Sequence, residues 1–339
     1  MTQNKKNFTY IISSIIILCI LYISGLYESI NIIMMINLYS IIFYTIHVIW
    51  KSTRKKKYLD FFEFYNYFIY TISIGIYSII LILLIFIYYN NFISPAKIPQ
   101  YTLSDGQKTI IFQGMSHIGS ENFYNQIKQE INNVKKTGGV LFYEGVKQGS
   151  KESNEKFNQA IGIDFNQDLY KNMSKLYGIT YQENDIFLGI QNNLDYNIDL
   201  SIDEIIKLYD KKAQESKIQN SNNNNKEIID INKEMINTLN QFNNKELSII
   251  IYINKALLNL IIKNNAKLQP LILDIGNKNL LDIILNERNK NLASEIIKSK
   301  YDKIIVTYGL LHFDGVYNLL KENDSNWKIK NIKYFYPIK

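Results

Sequence analysis

Long apolar runs fill the first part of the chain, whereas shorter runs alternate with polar stretches in the rest. Residues 8–50 carry one charged side chain, Glu28, and residues 64–89 carry none. A helix needs about 20 apolar residues to cross the hydrocarbon core of a bilayer. The first run is therefore long enough for two spans and the second for one. We predict three transmembrane helices, at about 8–26, 30–50 and 64–89.

Basic residues are concentrated on one side of these predicted spans. Residues 51–57 contain five of them, and Lys5 and Lys6 precede the first span. Segments rich in lysine and arginine stay in the cytoplasm. The pattern therefore predicts a multi-pass protein of a bacterial cytoplasmic membrane, with the lipid bilayer as a partner. We expect a membrane region over 1–94 and a soluble domain over 95–339 that lies outside the cytoplasm.

The remainder of the chain alternates between short apolar runs and amphipathic stretches, which is typical of strands and helices. This order favours an α/β domain with a mixed or largely parallel sheet, flanking helices and a helical insertion. On the helix at 120–135, four apolar residues share one face and should point into the core, namely Phe123, Ile127, Ile131 and Val134. We predict strands at 109–113, 139–144, 303–308 and 327–336, and helices within 153–177, at 202–214, within 226–265, at 278–299 and at 315–322.

The charge distribution argues against a nucleic-acid partner, and the cysteine content excludes an intrachain disulfide. The net charge of +7 and the pI near 9.0 would suit a nucleic-acid-binding protein. However, residues 1–99 hold eight basic and three acidic residues, so most of the excess flanks the predicted spans and we expect no nucleic-acid partner. The single cysteine, Cys19, lies in an apolar run and allows no intrachain disulfide.

Two of the three histidines occupy the same local frame. His117 ends Gly-Met-Ser-His and His312 ends Gly-Leu-Leu-His, and each frame follows a predicted strand and precedes a predicted helix. Strand-to-helix corners are where α/β folds place their chemistry. A lone histidine there would more often be a polar loop residue, but the repetition favours one site assembled from both segments.

A carboxylate joins this pair. Glu144 ends the apolar run Val-Leu-Phe-Tyr and should face the same rim as His117. Two histidines and a carboxylate form a set that can bind a divalent metal ion with positions open for water or substrate. His117, Glu144 and His312 are therefore the predicted metal ligands. Alternatively, Glu144 caps a loop or pairs with Lys147.

Arg288 is the only arginine after residue 99 and falls near the centre of an apolar helix face. Its planar fork can hold a carboxylate or an oxyanion in a way that lysine cannot. We predict that Arg288 supports the site, with Glu144 as its first candidate partner. The alternative is a buried salt bridge that serves structure alone.

Four segments together resemble the TraB/Tiki (GumN) family, within the wider ChaN-like and erythromycin-esterase-like group. They are Gly114–Ser120, Val140–Val146, Leu285–Asn289 and Gly309–Gly315, and the resemblance covers 108–320. It implies an α/β fold whose active centre is formed by the two histidines and a glutamate. It also implies a membrane-tethered metallopeptidase that uses manganese or cobalt, with zinc left open. The carried-over set is His117, Glu144 and His312, supported by Arg288.

Two functions follow from this sequence. The first is a membrane-anchored metal-dependent hydrolase, specifically a peptidase that acts on an extracytoplasmic peptide or protein. The second is a non-catalytic membrane-tethered module that binds a peptide, haem or a metal and passes on a signal. If the two histidines and Glu144 lie too far apart to share an ion, the second is favoured.

Overall fold

The structure is a computed structural model, which describes residues 31, 34–162, 167–190, 194–215, 230–265 and 278–339. The described residues fall into two compact units. One contains those up to Tyr88 together with Phe242–Ile249, and the other contains Tyr89–Gln241 and Ile250–Lys339.

The first unit contains two helices, α1 over 34–53 and α2 over Phe61–Tyr88. A π-helical turn, Tyr89–Ile93, continues α2. Among the described residues, one helix is long and apolar enough to cross a membrane, namely Phe61–Ile93. The expectation of three such helices is therefore not met. The span expected at 8–26 lies outside the described residues, and the one at 30–50 is helical where described but includes Asn37 and His47 and runs on into Lys51.

The second unit is built on a six-stranded sheet with the order β6-β4-β7-β2-β1-β8. Strands β6, β4, β7 and β2 are parallel, whereas β1 is antiparallel to both β2 and β8. The predicted α/β class with a mostly parallel mixed sheet is thus confirmed. The strands are β1 Ile98–Ser104, β2 Thr109–Met115, β3 Ile118–Gly119, β4 Val140–Tyr143, β5 Thr180–Tyr181, β6 Asp195–Asn197, β7 Lys303–Gly309 and β8 Lys328–Phe335, with β3 and β5 forming a separate pair.

Helices cover both faces of this sheet. The predicted face of α3 is confirmed, because Phe123, Ile127, Ile131 and Val134 are all buried against one side. Leu292 and Val316, from two later helices, pack on the other side. The further helices are α3 Glu121–Lys136, α4 Lys151–Ile161, α5 Gln167–Tyr177, α6 Asn184–Phe187, α7 Ile202–Glu215, α8 Ile231–Gln241, α9 Asn244–Lys263, α10 Lys278–Asp282, α11 Arg288–Lys298 and α12 Phe313–Asn323.

Sequence patterns did not predict β1 or β6. The β1 strand contains Pro99 and the buried polar residue Gln100, so it shows no clear apolar alternation. It is nevertheless stable as a strand because β2 and β8 flank it on either side. The β6 strand has only three residues and is held by pairing with β4.

Candidate functional site

Three adjacent parallel strands bring the predicted site residues to one rim of the sheet. Glu144 directly follows β4, His312 lies in a 3-10 turn directly after β7, and His117 follows β2. Since β7 pairs with both β4 and β2, the carboxyl ends of the three strands are neighbours. Both histidines, when protonated, lower the pKa of Glu144. The structure therefore brings His117, Glu144 and His312 to one rim of the sheet.

Glu144 is held by two donors. Arg288 donates from Nη2 to Oε1 at 2.6 Å, and the backbone N–H of Gly309 donates to Oε2 at 2.5 Å. Burial raises the pKa of the Glu144 carboxyl, whereas the charges of Arg288, His117 and His312 lower it, and the net result is a pKa of about 2. Glu144 is therefore ionised at neutral pH and fixed in orientation.

Arg288 joins Glu144 to a second carboxylate. Its Nε and Nη2 donate to the two oxygens of Asp199, both at 2.7 Å, in a bidentate pair. The Tyr308 hydroxyl donates to Asp199 at 3.0 Å, and the Tyr308 ring lies 5.4 Å from the guanidinium carbon. Arg288 is only 5% exposed. The prediction that Glu144 is a partner of Arg288 is confirmed. The same Nη2 donates to both carboxylates, so Arg288 holds Glu144 and Asp199 in position.

His312 is buried and has one defined tautomer. Its Nδ1 lies 2.7 Å from Oδ1 of Asn289. An amide oxygen can only accept, so Nδ1 carries the proton and Nε2 keeps its lone pair. Burial lowers the pKa of His312 to about 4, although the Glu144 charge raises it. His312 is thus a neutral imidazole at pH 7, the form that binds metals or accepts a proton.

Two glycines permit this close packing. A Cβ built on Gly309 would lie 3.2 Å from Oε2 of Glu144 and 3.3 Å from Cδ2 of His312. A Cβ on Gly315 would overlap the side-chain nitrogen of Asn289. The glycines on either side of His312 therefore make room for the groups that hold Glu144 and His312.

His117 lies at the exposed edge of the site. Its ring packs against Tyr170 with centroids 4.5 Å apart, and its carbonyl accepts from the backbone N–H of Gln182 at 2.9 Å. Burial, together with the nearby charge of Glu144, raises the pKa of Tyr170 to about 12. Tyr170 therefore remains protonated at neutral pH and belongs to the surroundings of Glu144.

The predicted metal set, two histidines and a carboxylate, fits a divalent ion in donor chemistry. Within the described ranges, no three His, Cys, Asp or Glu side chains come together as a group that could hold an ion. Both oxygens of Glu144 already accept hydrogen bonds, and His117 packs on Tyr170. In contrast, His312 has the anchored Nδ1–H that is typical of a metal ligand.

Sequence reasoning missed four residues of the site. Asn289 and Tyr308 are direct neighbours of Arg288 and Gly309, so inspection of the flanking positions could have found them. Asp199 follows a strand of three residues, which leaves no recognisable pattern. Tyr170 lies on α5, far in sequence from every motif.

Comparison with known proteins leaves the geometry as the basis for a functional argument. It neither supports nor opposes the resemblance that the four sequence segments indicate. No family model, no curated protein and no solved structure matches this chain.

Proposed function

We propose that this protein is a membrane-anchored, metal-dependent hydrolase of the TraB/Tiki type that cleaves an extracytoplasmic peptide or protein. One observation carries the proposal. His312 is neutral and its Nδ1–H is fixed on Asn289, so its Nε2 keeps the lone pair, and an ionised Glu144 ends the neighbouring strand. In metalloenzymes, a ligand histidine is oriented in this way by a hydrogen bond from its other nitrogen.

The residues of the site take separate roles in peptide hydrolysis. The oxygen of a water molecule attacks the substrate carbonyl carbon, and its proton passes to Glu144. The same group then protonates the leaving amine. Arg288 touches no reacting atom and keeps Glu144 in place by binding Glu144 and Asp199 together.

A divalent ion, manganese, cobalt or zinc, is part of this proposal, with His117, Glu144 and His312 as its ligands. It would supply a water molecule of lowered pKa. Because these three side chains are not grouped as ligands in the described residues, the proposal requires His117 or Glu144 to shift when the ion binds.

Metal content tests the proposal directly. The full chain, purified in detergent and loaded with manganese, cobalt or zinc, should retain one ion per molecule after dialysis. His117→Ala and His312→Ala should lose it, because each removes a ligand. His47→Ala is the matched control, since His47 lies on α1 in the other unit, and it should retain the ion. Loaded wild type should also cleave members of a peptide library, as seen by mass spectrometry.

The second function, a non-catalytic binding module for a peptide, haem or a metal, has one observation in its favour. The three predicted ligands do not form a group that could hold an ion among the residues that the structure describes. A binding module would bind an ion, haem or library peptide without cleaving any peptide. Retention of the ion in both histidine variants, with no cleavage by wild type, would contradict the hydrolase and leave this function.

A further inference from the structure

Helix α9 is apolar on its outward side as well as towards the protein over the part that belongs to the second unit, Ile250–Lys263. Its protein-facing side holds Ala256 and Asn259, which are 0% and 1% exposed. Its outward side is apolar, with Tyr252 53%, Leu257 42%, Leu260 40% and Ile261 47% exposed. The outward side of a helix that faces water is normally polar. The outward face, defined here by Tyr252, Leu257, Leu260 and Ile261, therefore suits an apolar environment.

Polar contacts tie this helix to the end of the candidate membrane helix. Asn259 accepts from the N–H of Ala96 at 2.7 Å and donates to the side chain of Asn91 at 3.1 Å. Asn91 donates to the carbonyl of Tyr252 at 3.0 Å, and Lys263 donates to Asn90 at 2.8 Å. These partners lie within the last turn of Phe61–Ile93 or just after it. The position of α9 is thus fixed relative to residues 90–96.

The end of a membrane-spanning helix lies at the level of the lipid headgroups, where aromatic residues are common. Tyr89, Phe92 and Ile93, at the end of this helix, are all exposed. Tyr252, Asn259 and Lys263 of α9 hydrogen-bond to residues 90–96, and every residue of the outward face lies within two positions of one of them. At a rise of about 1.5 Å per helical residue, the outward face therefore lies within about 10 Å of the headgroup level. Helices that lie in the interface bury their apolar face to a depth of about 5–10 Å.

We propose that the outward face of α9 rests in the interfacial layer of the lipid bilayer, beside the end of the Phe61–Ile93 helix. The protein would then contact the membrane through the surface of its second unit as well as through a spanning helix. The lipid would then be the partner of the outward face of α9, which contains no residue of the proposed hydrolase site. It depends on Phe61–Ile93 crossing the membrane.

Basic and aromatic residues beside Ala96 suit anionic headgroups at the same level. Lys97 lies within 6.0 Å of the Tyr334 ring and 5.7 Å of the Tyr336 ring. Lys339 lies 5.5 Å from Tyr336. Pairing of Ile98 and Pro99 with the end of β8 brings these residues together. Lysine and tyrosine side chains combine an apolar body with a polar end, which is favourable at a membrane surface.

Single-cysteine labelling of the full chain tests this placement. In a Cys19→Ser background, an environment-sensitive fluorophore is attached at Leu257→Cys or Ile261→Cys. The protein is reconstituted in vesicles of phosphatidylcholine and phosphatidylglycerol, with or without doxyl-labelled lipid. Ile82→Cys, an exposed position in α2, is the positive control, and Lys321→Cys, exposed on α12, is the matched aqueous control.

We expect blue-shifted emission at both α9 positions, quenched at least two-fold by doxyl lipid, with no quenching at Lys321→Cys. Water-like emission at both α9 positions would overturn the proposal. Blue-shifted emission that doxyl lipid does not quench would also overturn it, because protein, such as a second copy, would then cover the face. Water-like emission at Ile82→Cys would remove the spanning helix, and the proposal with it. The metal and cleavage assays report on the hydrolase separately.

Discussion

Arg288 binds two buried carboxylates through one planar group, and lysine has no equivalent geometry. We expect Arg288→Lys to lower kcat/KM for peptide cleavage by an order of magnitude or more. It should also lower the free energy of unfolding by about 3 kcal/mol, because Asp199 or Glu144 loses its buried partner. Activity per folded molecule and Tm, measured on the same variant, separate the two effects.

An exposed ion pair provides the control for this substitution. Lys156 and Asp210 are each about 40% exposed, so Lys156→Met should cost less than about 1 kcal/mol. Full activity in a well-folded Arg288→Lys protein would remove Arg288 from the site and leave it a structural role. A lower Tm with intact activity would give the same result.

The stability of the protein should fall between pH 6.5 and pH 4 because of His312. Folding lowers its pKa from 6.5 to about 4, so the unfolded chain binds the proton first and stability rises with pH in this window. The shift corresponds to about 3 kcal/mol. Glu144 affects stability at lower pH, since its stabilising contribution is lost as the pH falls from 4.5 to about 2. Denaturant unfolding between pH 6.5 and 4.5 therefore reports on His312.

The variant His312→Gln does not titrate in this range. Its unfolding free energy should lose most of the pH dependence that wild type shows between pH 6.5 and 4.5. An unchanged slope would mean that His312 is not held neutral by burial.

Among elements, the corner after β7 depends on Gly315 at the start of α12. A methyl group there would collide with the Asn289 side chain, which anchors Nδ1 of His312. We expect Gly315→Ala to destabilise the protein by about 1–3 kcal/mol, as overpacking does. In an Asn289→Ala background the same change should cost much less, and a double-mutant cycle by denaturant unfolding measures the difference. Equal costs in both backgrounds would contradict the proposed contact.

Elements with strong apolar runs could be predicted from the sequence, and weakly patterned ones could not. Strands β2, β4 and β7 each coincide with an apolar run, and a site residue follows each of them. Glu144 and the two histidines could therefore be assigned to one rim of the sheet. Asp199 could not, because the three-residue strand before it is stabilised by pairing with β4 rather than by its own pattern. The antiparallel strand β1 could likewise not be predicted from its sequence, because pairing with β2 and β8 supplies its stability.

For the whole molecule, orientation in the membrane follows from the basic residues before α2. Residues 51–57 should remain in the cytoplasm, so the chain after Phe61–Ile93 should emerge on the other side. A reporter fused after Pro99 tests this: a reporter that works only outside the cytoplasm should be active. Activity of a cytoplasm-only reporter at the same position would refute the orientation.

The strand order also dictates when the site can form. Strand β7 lies between β4 and β2, yet it is made about 160 residues after β4. During synthesis, β2 and β4 are therefore made before the strand that lies between them in the sheet. Contacts between residues that are far apart in sequence form slowly. Glu144 cannot meet Arg288 until residue 288 of the 339 has been made, and it cannot meet Gly309 until residue 309 has been made. The candidate site is thus incomplete in a growing chain until His312 has been made.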